Sequence, residues 1–422
     1  MYLKFNKTKM TLALLGLLAV SPAFAKAPLQ DGYVTSGTCA GLPKIVVNTP
    51  KGFCVGLVAE GFKFTRGIAT LPNGDLLVVD MNGWVENKGS IWLLSPTKST
   101  SSEGIIYKKM RLLKGIDRPN GIIIGPDNKI YVGAIDRIFR FELINPEETM
   151  QDVVGGNSGV AALPSSGLHP LTSMVFDQDN NLFVNVGSES NACSNAKGGL
   201  LDANKMCPET KGDNPRGTLR KYTMKWPAGT VSSAEIYAQG LRNSMALAIH
   251  PKTGELWQGE NSRDNISALD SKLKDAEFPH DEINLIKKGG VYGWPYCFDA
   301  NRAVPEYQKW DCSNYTPPQL LLPAHAAPLG MMFYTGKQFP AKYKNSLIVG
   351  FHGYRNTGHR LMAYQTNQDG KPSGQPEELI AGWGKKGAPT GAPVDVKMGN
   401  DGTLYITEDR NGTVLRLNYV GE

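Results

Sequence analysis

The sequence predicts an all-β fold, a six-bladed β-propeller with long disulfide-tied loops on one face. Three observations predict it: a strand–turn–strand pattern recurs along the chain, its turns hold residues that tolerate positive φ, and no Pro/Gly/Ser linker divides the 422 residues. Composition agrees with a packed chain. With 41% apolar and 20% charged residues, and 47 Gly and 27 Pro spread throughout, collagen-like, coiled-coil and wholly disordered classes are excluded.

The first element is read as a signal rather than as fold. Lys4, Lys7 and Lys9 precede an apolar run from Met10 to Val20, and Ala23-Phe24-Ala25 supplies small residues where a signal peptidase reads, so residues 1–25 are expected to be removed on the way to the periplasm or the medium. No Cys follows that cut to take a lipid, and no later apolar stretch reaches the roughly 20 residues of a membrane span. The net charge of +6 falls to +3 without those three lysines, and no Lys/Arg run remains. Nucleic acid is therefore not the expected partner. Residues 26–422 are read as a single propeller domain.

The repeat itself starts at Gly67 (GIATLPNGDLLVVD), Gly121 (GIIIGPDNKIYVGA), Ser173 (SMVFDQDNNLFVNVGS), Ala246 (ALAIHPKTGELWQGE) and Asp395 (DVKMGNDGTLYITED), with a divergent copy from Phe339 (FPAKYKNSLIVGFH). Asn73-Gly74, Asn180-Asn181 and Asp401-Gly402 suit tight hairpins, and the flanking residues alternate as half-buried strands do. A third strand often follows, as at residues 90–94, 137–141 and 412–417. Units that cannot each bury both faces alone are what a propeller stacks around an axis. Residues 189–215 and 261–330 exceed the repeat and are read as long loops, where a rigid scaffold would carry its site.

Six cysteines suit an oxidising compartment. Local closure prefers Cys39 with Cys54, Cys193 with Cys207 and Cys297 with Cys312, one choice among fifteen pairings. A zinc site is poorly supported, because no CxxC occurs and the His residues are scattered.

The loop motifs carry a resemblance. Gly240-Leu241-Arg242-Asn243, Glu260-Asn261, Asp281-Glu282-Ile283-Asn284, Tyr292-Gly293-Trp294-Pro295, Pro328-Leu329-Gly330 and the early His169 run in one order along nearly the whole chain from residue 66 to 417. In that order they resemble the soluble quinoprotein glucose/sorbosone dehydrogenases, which use pyrroloquinoline quinone on a six-bladed propeller. The resemblance implies oxidation of an aldose or aldehyde, Ca²⁺ support and electron transfer to an external acceptor.

Residue by residue, it implies that His169 is the general base, for which a neutral imidazole is chemically suited. By itself His169 reads more readily as a hydrogen-bonded loop residue than as a catalyst. Arg242 and Asn243 are implied to hold the quinone carbonyls, Arg242 also stabilising the charge that develops there. Arg66 and Asn120, at the equivalent rims of the first two copies, are candidates for the same pocket, as are His325 and His352. Glu260, Asn261 and Asp281, with Asp264 and Glu282 nearby, offer the hard oxygens that Ca²⁺ takes, though without EF-hand spacing. Tyr292 to Cys297 are read as architecture, and His250 and His280 as structural. One departure is visible. Where the family commonly carries an Arg for a cofactor carboxylate, this chain has Ala392, and Arg355, Arg360, Lys385 or Lys386 would have to compensate. Two other readings stay open: a calcium-dependent lactonase on a similar propeller, and a non-catalytic propeller that binds saccharide or protein.

Overall fold

A computed structural model describes residues 33–98, 104–193, 206–353, 355–367, 369–373, 375–383 and 391–421. The signal reading at residues 1–25, Lys385 and Lys386, and the middle of the loop at 189–215 lie outside the described residues.

Six antiparallel sheets follow one another around an axis. Blade 1 is Thr65–Thr70, Leu76–Asp80, Gly89–Lys98 and Ile105–Ile116. Blade 2 is Ile122–Ile124, Ile130–Gly133, Ile138–Phe141 and Gln151–Val154, and blade 3 is Met174–Phe176, Leu182–Val186, Thr218–Lys225 and Thr230–Gln239. Blade 4 is Ala246–Ile249, Leu256–Glu260, His280–Ile286 and Leu320–Ala324. Blade 5 is Pro328–Phe333, Leu347–Phe351, Arg360–Tyr364 and Glu377–Ile380. Blade 6 combines Pro393–Met398, Leu404–Glu408 and Thr413–Tyr419 with the early strand Phe53–Ala59, which pairs Val55 opposite Leu417. A ribbon of Thr35–Cys39 and Leu42–Ile45 extends that outer edge, and the Cys39–Cys54 disulfide ties it down.

Two-residue periodicity decides how the blades stack. In Leu76–Asp80 every residue is buried, because both faces are covered. Leu77 and Val79 enter a core shared with Ile122, Val132 and Phe139 of blade 2, whereas Leu76 and Val78 enter one shared with Tyr405 and Val414 of blade 6. The same holds around the ring, so that six inter-blade cores replace a single central one. Each fully buried Leu or Val adds roughly 1.5–3 kcal/mol, and each core needs both of its blades.

Near the axis the innermost strands touch backbone to backbone. The Gly67 N–H donates to the Asn120 carbonyl at 2.9 Å and the Gly121 N–H to the Thr172 carbonyl at 3.0 Å. A Cβ on Gly67 would stand 2.6 Å from that Asn120 oxygen, so only glycine permits the approach.

The hairpin turns fall as expected, with Gly74, Asn180 and Gly402 all at positive φ. The fifth copy is a correction. Its innermost strand is Pro328–Phe333, not a strand from Phe339, and residues 334–346 form a long turn with a 3₁₀ segment at Ala341–Tyr343 before Leu347–Phe351. Residues 261–330 are likewise not all loop, since they contain His280–Ile286 and Leu320–Ala324. All three disulfides follow the local pairing, Cys39–Cys54, Cys193–Cys207 and Cys297–Cys312.

Candidate active site

In an antiparallel blade the start of the first strand and the end of the second lie on the same face. Residues at or just before the starts of first strands (Arg66, His169, Arg242, Asn243, His325) and just after second strands (Asn261, His352, Asp409) therefore converge on one rim. They line one cavity of about 460 Å³ over the axis. Its floor is apolar, from Phe64, Leu171, Met245 and Leu329, which pack with the buried Met81.

His169 Nδ1 lies 2.8 Å from Ser188 Oγ and 3.2 Å from the Ser188 carbonyl. Ser188 Oγ spends its own hydrogen on the Ser190 carbonyl at 2.6 Å. Both partners can then only accept, which places the imidazole hydrogen on Nδ1 and leaves Nε2 as a lone pair. Burial, reinforced by the positive charge of Arg242, holds this imidazole well below the usual histidine range. His169 is thus neutral at pH 7.

Arg242 is saturated by protein. Its Nε donates to the Asn191 carbonyl (2.9 Å), Nη1 to the carbonyls of Asn261 (2.8 Å) and Ser262 (2.9 Å), and Nη2 to Asn191 Oδ1 (2.9 Å) and Asp264 (3.2 Å). All five guanidinium hydrogens are used. Arg242 presents a fixed cation to the cavity, with no N–H left over. Asp264 also lies 3.3 Å from His325 Nδ1. Burial opposes its charge, but His325 and Arg242 outweigh that and lower its pKa to about 2. His325 Nε2 is buried without a partner.

A second buried group also lines the cavity. Asp409 accepts from Arg66 Nη1 at 3.1 Å and from His352 Nε2 at 3.0 Å. Asn120 does not line the cavity. It stands behind Arg66, accepting from its Nε at 2.8 Å and donating to the Thr172 carbonyl at 2.9 Å.

The acidic candidates divide. Asp281 lines the cavity but accepts the backbone N–H groups of Ser262 (2.8 Å) and Ala327 (2.6 Å), and burial raises its pKa to about 6. Glu260 faces away, accepting from the Asn243 N–H and from Gln258 Nε2, and burial raises it to about 7. Glu282 stands opposite Glu260 across the two strands and burial pushes it well above the usual range. Two amide oxygens remain: Asn243 Oδ1 and Asn261 Oδ1 are buried without partners, and both residues line the cavity. Among the described residues, the one cluster of three potential metal-binding side chains is Cys193, Cys207 and Glu209, whose two sulfurs already form a disulfide.

Residues 47–420 match the TrAA12-like family model. The chain belongs to the TrAA12-like family. Among curated relatives of this TrAA12-like chain, a Borreliella burgdorferi protein is 26% identical over 395 residues, covering 88% of this chain and 91% of its own. The Escherichia coli aldose sugar dehydrogenase YliI is 25% identical over 261 residues, covering 60% and 61%, and the Hypocrea jecorina pyrroloquinoline quinone-dependent sugar dehydrogenase is 21% identical over 86% of each chain. Among solved structures, the calcium structure of Trichoderma reesei carbohydrate-active enzymes family AA12 superposes with a TM-score of 0.68 at 18% identity, covering 91% of this chain and 99% of that one. The holo form of the pyranose dehydrogenase PQQ domain from Coprinopsis cinerea gives 0.68 at 20% identity, covering 90% and 99%. These likenesses share the fold.

Ala392 in this TrAA12-like chain is wholly buried, with its N–H donated to Glu408 at 2.9 Å, and does not line the cavity. Arg355 does line it, while Arg360 turns away to Glu378. His280 pairs with Asp299 and His250 accepts turn N–H groups, both away from the cavity. Sequence reasoning missed Ser188, Asn191 and Asp409. A signal was available, since Ser188, Asn261, His352 and Asp409 all directly follow the second strand of a copy or lie within two residues of it.

Proposed function

We propose that this chain oxidises aldose sugars at the anomeric carbon, using pyrroloquinoline quinone with Ca²⁺ and passing electrons to an external acceptor. The observation that carries the reading is the Nε2 lone pair of His169, held neutral in a cavity lined by the guanidinium groups of Arg66, Arg242 and Arg355. The relatives with a stated activity are sugar dehydrogenases, which supports the same reading.

The residues present fit both groups: three cations suit a planar tricarboxylate over an apolar floor, and the unpartnered oxygens of Asn243 and Asn261 suit a hard cation. Bound there, the quinone would accept the hydride that leaves the sugar carbon, and calcium would act on it as a Lewis acid. His169 Nε2 takes the proton of the C1 hydroxyl as that carbon becomes the lactone carbonyl, then passes it to water at the mouth. Ser188 keeps the imidazole in the accepting tautomer. Arg242, immobilised by five bonds, supplies a positive field that needs no rearrangement during the reaction. The three disulfides suit an oxidising compartment, and the reading includes export with loss of residues 1–25 and one propeller domain over residues 26–422.

The test is a spectroscopic titration of residues 26–422 with the quinone and Ca²⁺, followed by a panel of aldoses. Stoichiometric binding and reduction by at least one sugar are expected. His169→Ala should retain quinone binding and lose turnover by about 10²–10⁴. Wild-type rates in that variant, or no binding in the parent, would overturn the proposal.

A further inference from the structure

The imidazole of His169 is held by a chain of contacts that ends outside the cavity. Its Nδ1 reaches Ser188 Oγ, and Ser188 Oγ donates to the Ser190 carbonyl at 2.6 Å. The ring is therefore held only as well as residues 188–190 are placed. These residues lie past the end of Leu182–Val186, beyond the ladder that fixes that strand. Glu209 anchors them. Its Oε2 accepts the backbone N–H groups of Glu189 (2.6 Å) and Ser190 (3.2 Å), and its Oε1 accepts the Ser190 hydroxyl. Three donors from two consecutive residues converge on one carboxylate, and hydrogen bonds to an ionised acceptor are about twice as strong as neutral ones.

Two further contacts make this turn a junction of the site. The Ser188 N–H donates to the Arg242 carbonyl at 2.8 Å, and the Glu189 carbonyl accepts the N–H of Leu168, directly before His169, at 2.8 Å. Glu209 is itself fixed from the far side. Pro208 sets the backbone at the start of a one-turn 3₁₀ segment, Pro208–Thr210, and the Thr210 hydroxyl donates to the Cys207 carbonyl at 2.8 Å. Cys207 is tied to Cys193 by a disulfide and donates its N–H to the Tyr296 hydroxyl at 2.7 Å, while the Glu209 carbonyl accepts the Arg216 N–H at 2.7 Å. A carboxylate mounted on the disulfide-tied loop thus grips the turn that grips the base.

We infer that Glu209 is a positioning residue for His169: it fixes the 188–190 turn so that Ser188 accepts from Nδ1 and Nε2 keeps its lone pair. Glu209 does not line the cavity and acts only through Ser190 and Ser188. The inference rests on the dehydrogenase reading for what the imidazole does, whereas the tautomer that Glu209 imposes is independent of turnover.

The experiment compares the parent with Glu209→Ala, Glu209→Gln and Ser190→Ala. Nitrogen NMR of isotope-labelled histidine on the quinone-free chain at neutral pH tells an N–H from a lone-pair nitrogen, and the His169 signals are those missing from His169→Ala. Kinetics are measured on the quinone- and Ca²⁺-loaded chains. The parent should show one tautomer, with the hydrogen on Nδ1. Glu209→Ala should show a mixture of the two and a kcat lowered about tenfold, with KM changed by less than about twofold. Glu209→Gln keeps an oxygen for the two backbone N–H groups and should recover most of both. Ser190→Ala removes one of the three donors and should fall between parent and Glu209→Ala; should Glu209→Ala not fold, it carries the comparison. The parent's tautomer in Glu209→Ala, or in Ser190→Ala in its place, would overturn the inference whatever the rate. So would a mixed tautomer with unchanged kcat, or a Gln variant no better than the Ala variant. If the parent turns over no sugar yet its tautomer depends on Glu209, the dehydrogenase reading falls and the positioning role stands.

Discussion

Ser188 is a small residue with a large say, because its hydroxyl is already committed to Ser190 and can only accept from His169. Replacing it with Ala leaves the Ser188 carbonyl as a weaker anchor for Nδ1–H. Ser188→Ala is therefore expected to lower kcat/KM about tenfold, the worth of one buried hydrogen bond, with quinone affinity retained. Protonation gives a second expectation at this scale. Burial and then Arg242 depress the His169 pKa, so the base stays neutral down through pH 6.5 and is lost only as pH falls through the depressed value. A pH profile of kcat/KM should thus be flat from 7.5 to 6.5, with an acid limb below. An acid limb centred near 6.5 or above would contradict it. His169, Arg242 and Asn243 were legible in the sequence because they stand at fixed offsets from repeat copies. Their partners were not: Ser188 is 19 residues from His169, Asn191 is 51 from Arg242, and Asp409 is 343 from Arg66. The hairpin of blade 3 brings the first pair together, the packing of blade 4 on blade 3 the second, and the closure of blade 6 on blade 1 the third.

Elements differ in how plainly they announce themselves. Five hairpins were legible because a tight turn separates two alternating strands, and the alternation sorts side chains between two neighbouring cores rather than between core and solvent. The inner strand of blade 5 begins at Pro328 and is separated from its partner by residues 334–346, so no short turn marks it. The outer strands Leu320–Ala324 and Glu377–Ile380 are short and partly exposed, and they are placed by a neighbouring strand rather than by their own pattern. Two of the disulfide loops are joined into a satellite core in which Cys193, Cys207, Cys297 and Cys312 pack with Tyr296 and Tyr307. The Cys207 N–H donates to the Tyr296 hydroxyl at 2.7 Å. Asn191, two residues before Cys193, holds Arg242 through two atoms, its carbonyl and its Oδ1, and that Oδ1 also accepts the Asp264 N–H. The double variant Cys193→Ser/Cys207→Ser is therefore expected to lose about 3 kcal/mol and also quinone affinity. Cys39→Ser/Cys54→Ser, remote from the cavity, should lose a similar stability with affinity intact. Denaturant titration and quinone binding on both variants check the contrast.

For the whole molecule the decisive fact is six shared cores in place of one. Gly67→Ala would press a methyl group against the Asn120 carbonyl and disturb the contact between blades 1 and 2 on which Arg66 sits. A pH effect belongs at this scale as well. Glu408 is buried in blade 6, where it accepts from the Tyr33 hydroxyl at 3.2 Å, the Ala392 N–H and the Thr413 hydroxyl. Burial, with the adjacent Asp409 charge, raises its pKa from 4.5 to about 7. The folded state then holds this proton more tightly than the unfolded chain, so the stability it contributes is complete below about pH 4.5 and is lost as pH rises through about 7. Tm of the quinone-free chain should fall between pH 5 and pH 8, and Glu408→Gln should flatten that fall. Calorimetry at both values tests it, and an equal slope in the variant would refute the assignment.

The pairing of Phe53–Ala59 with Thr413–Tyr419 has one more consequence. Arg66 of blade 1 and His352 of blade 5 meet on Asp409 of blade 6, and that blade is complete only when a strand made early meets a strand made late. A nascent chain halted before residue 413 has synthesised His169, Arg242 and His352 but has no vessel to hold them. The ring works as a clasp, and a cavity able to hold a guest exists only in finished molecules.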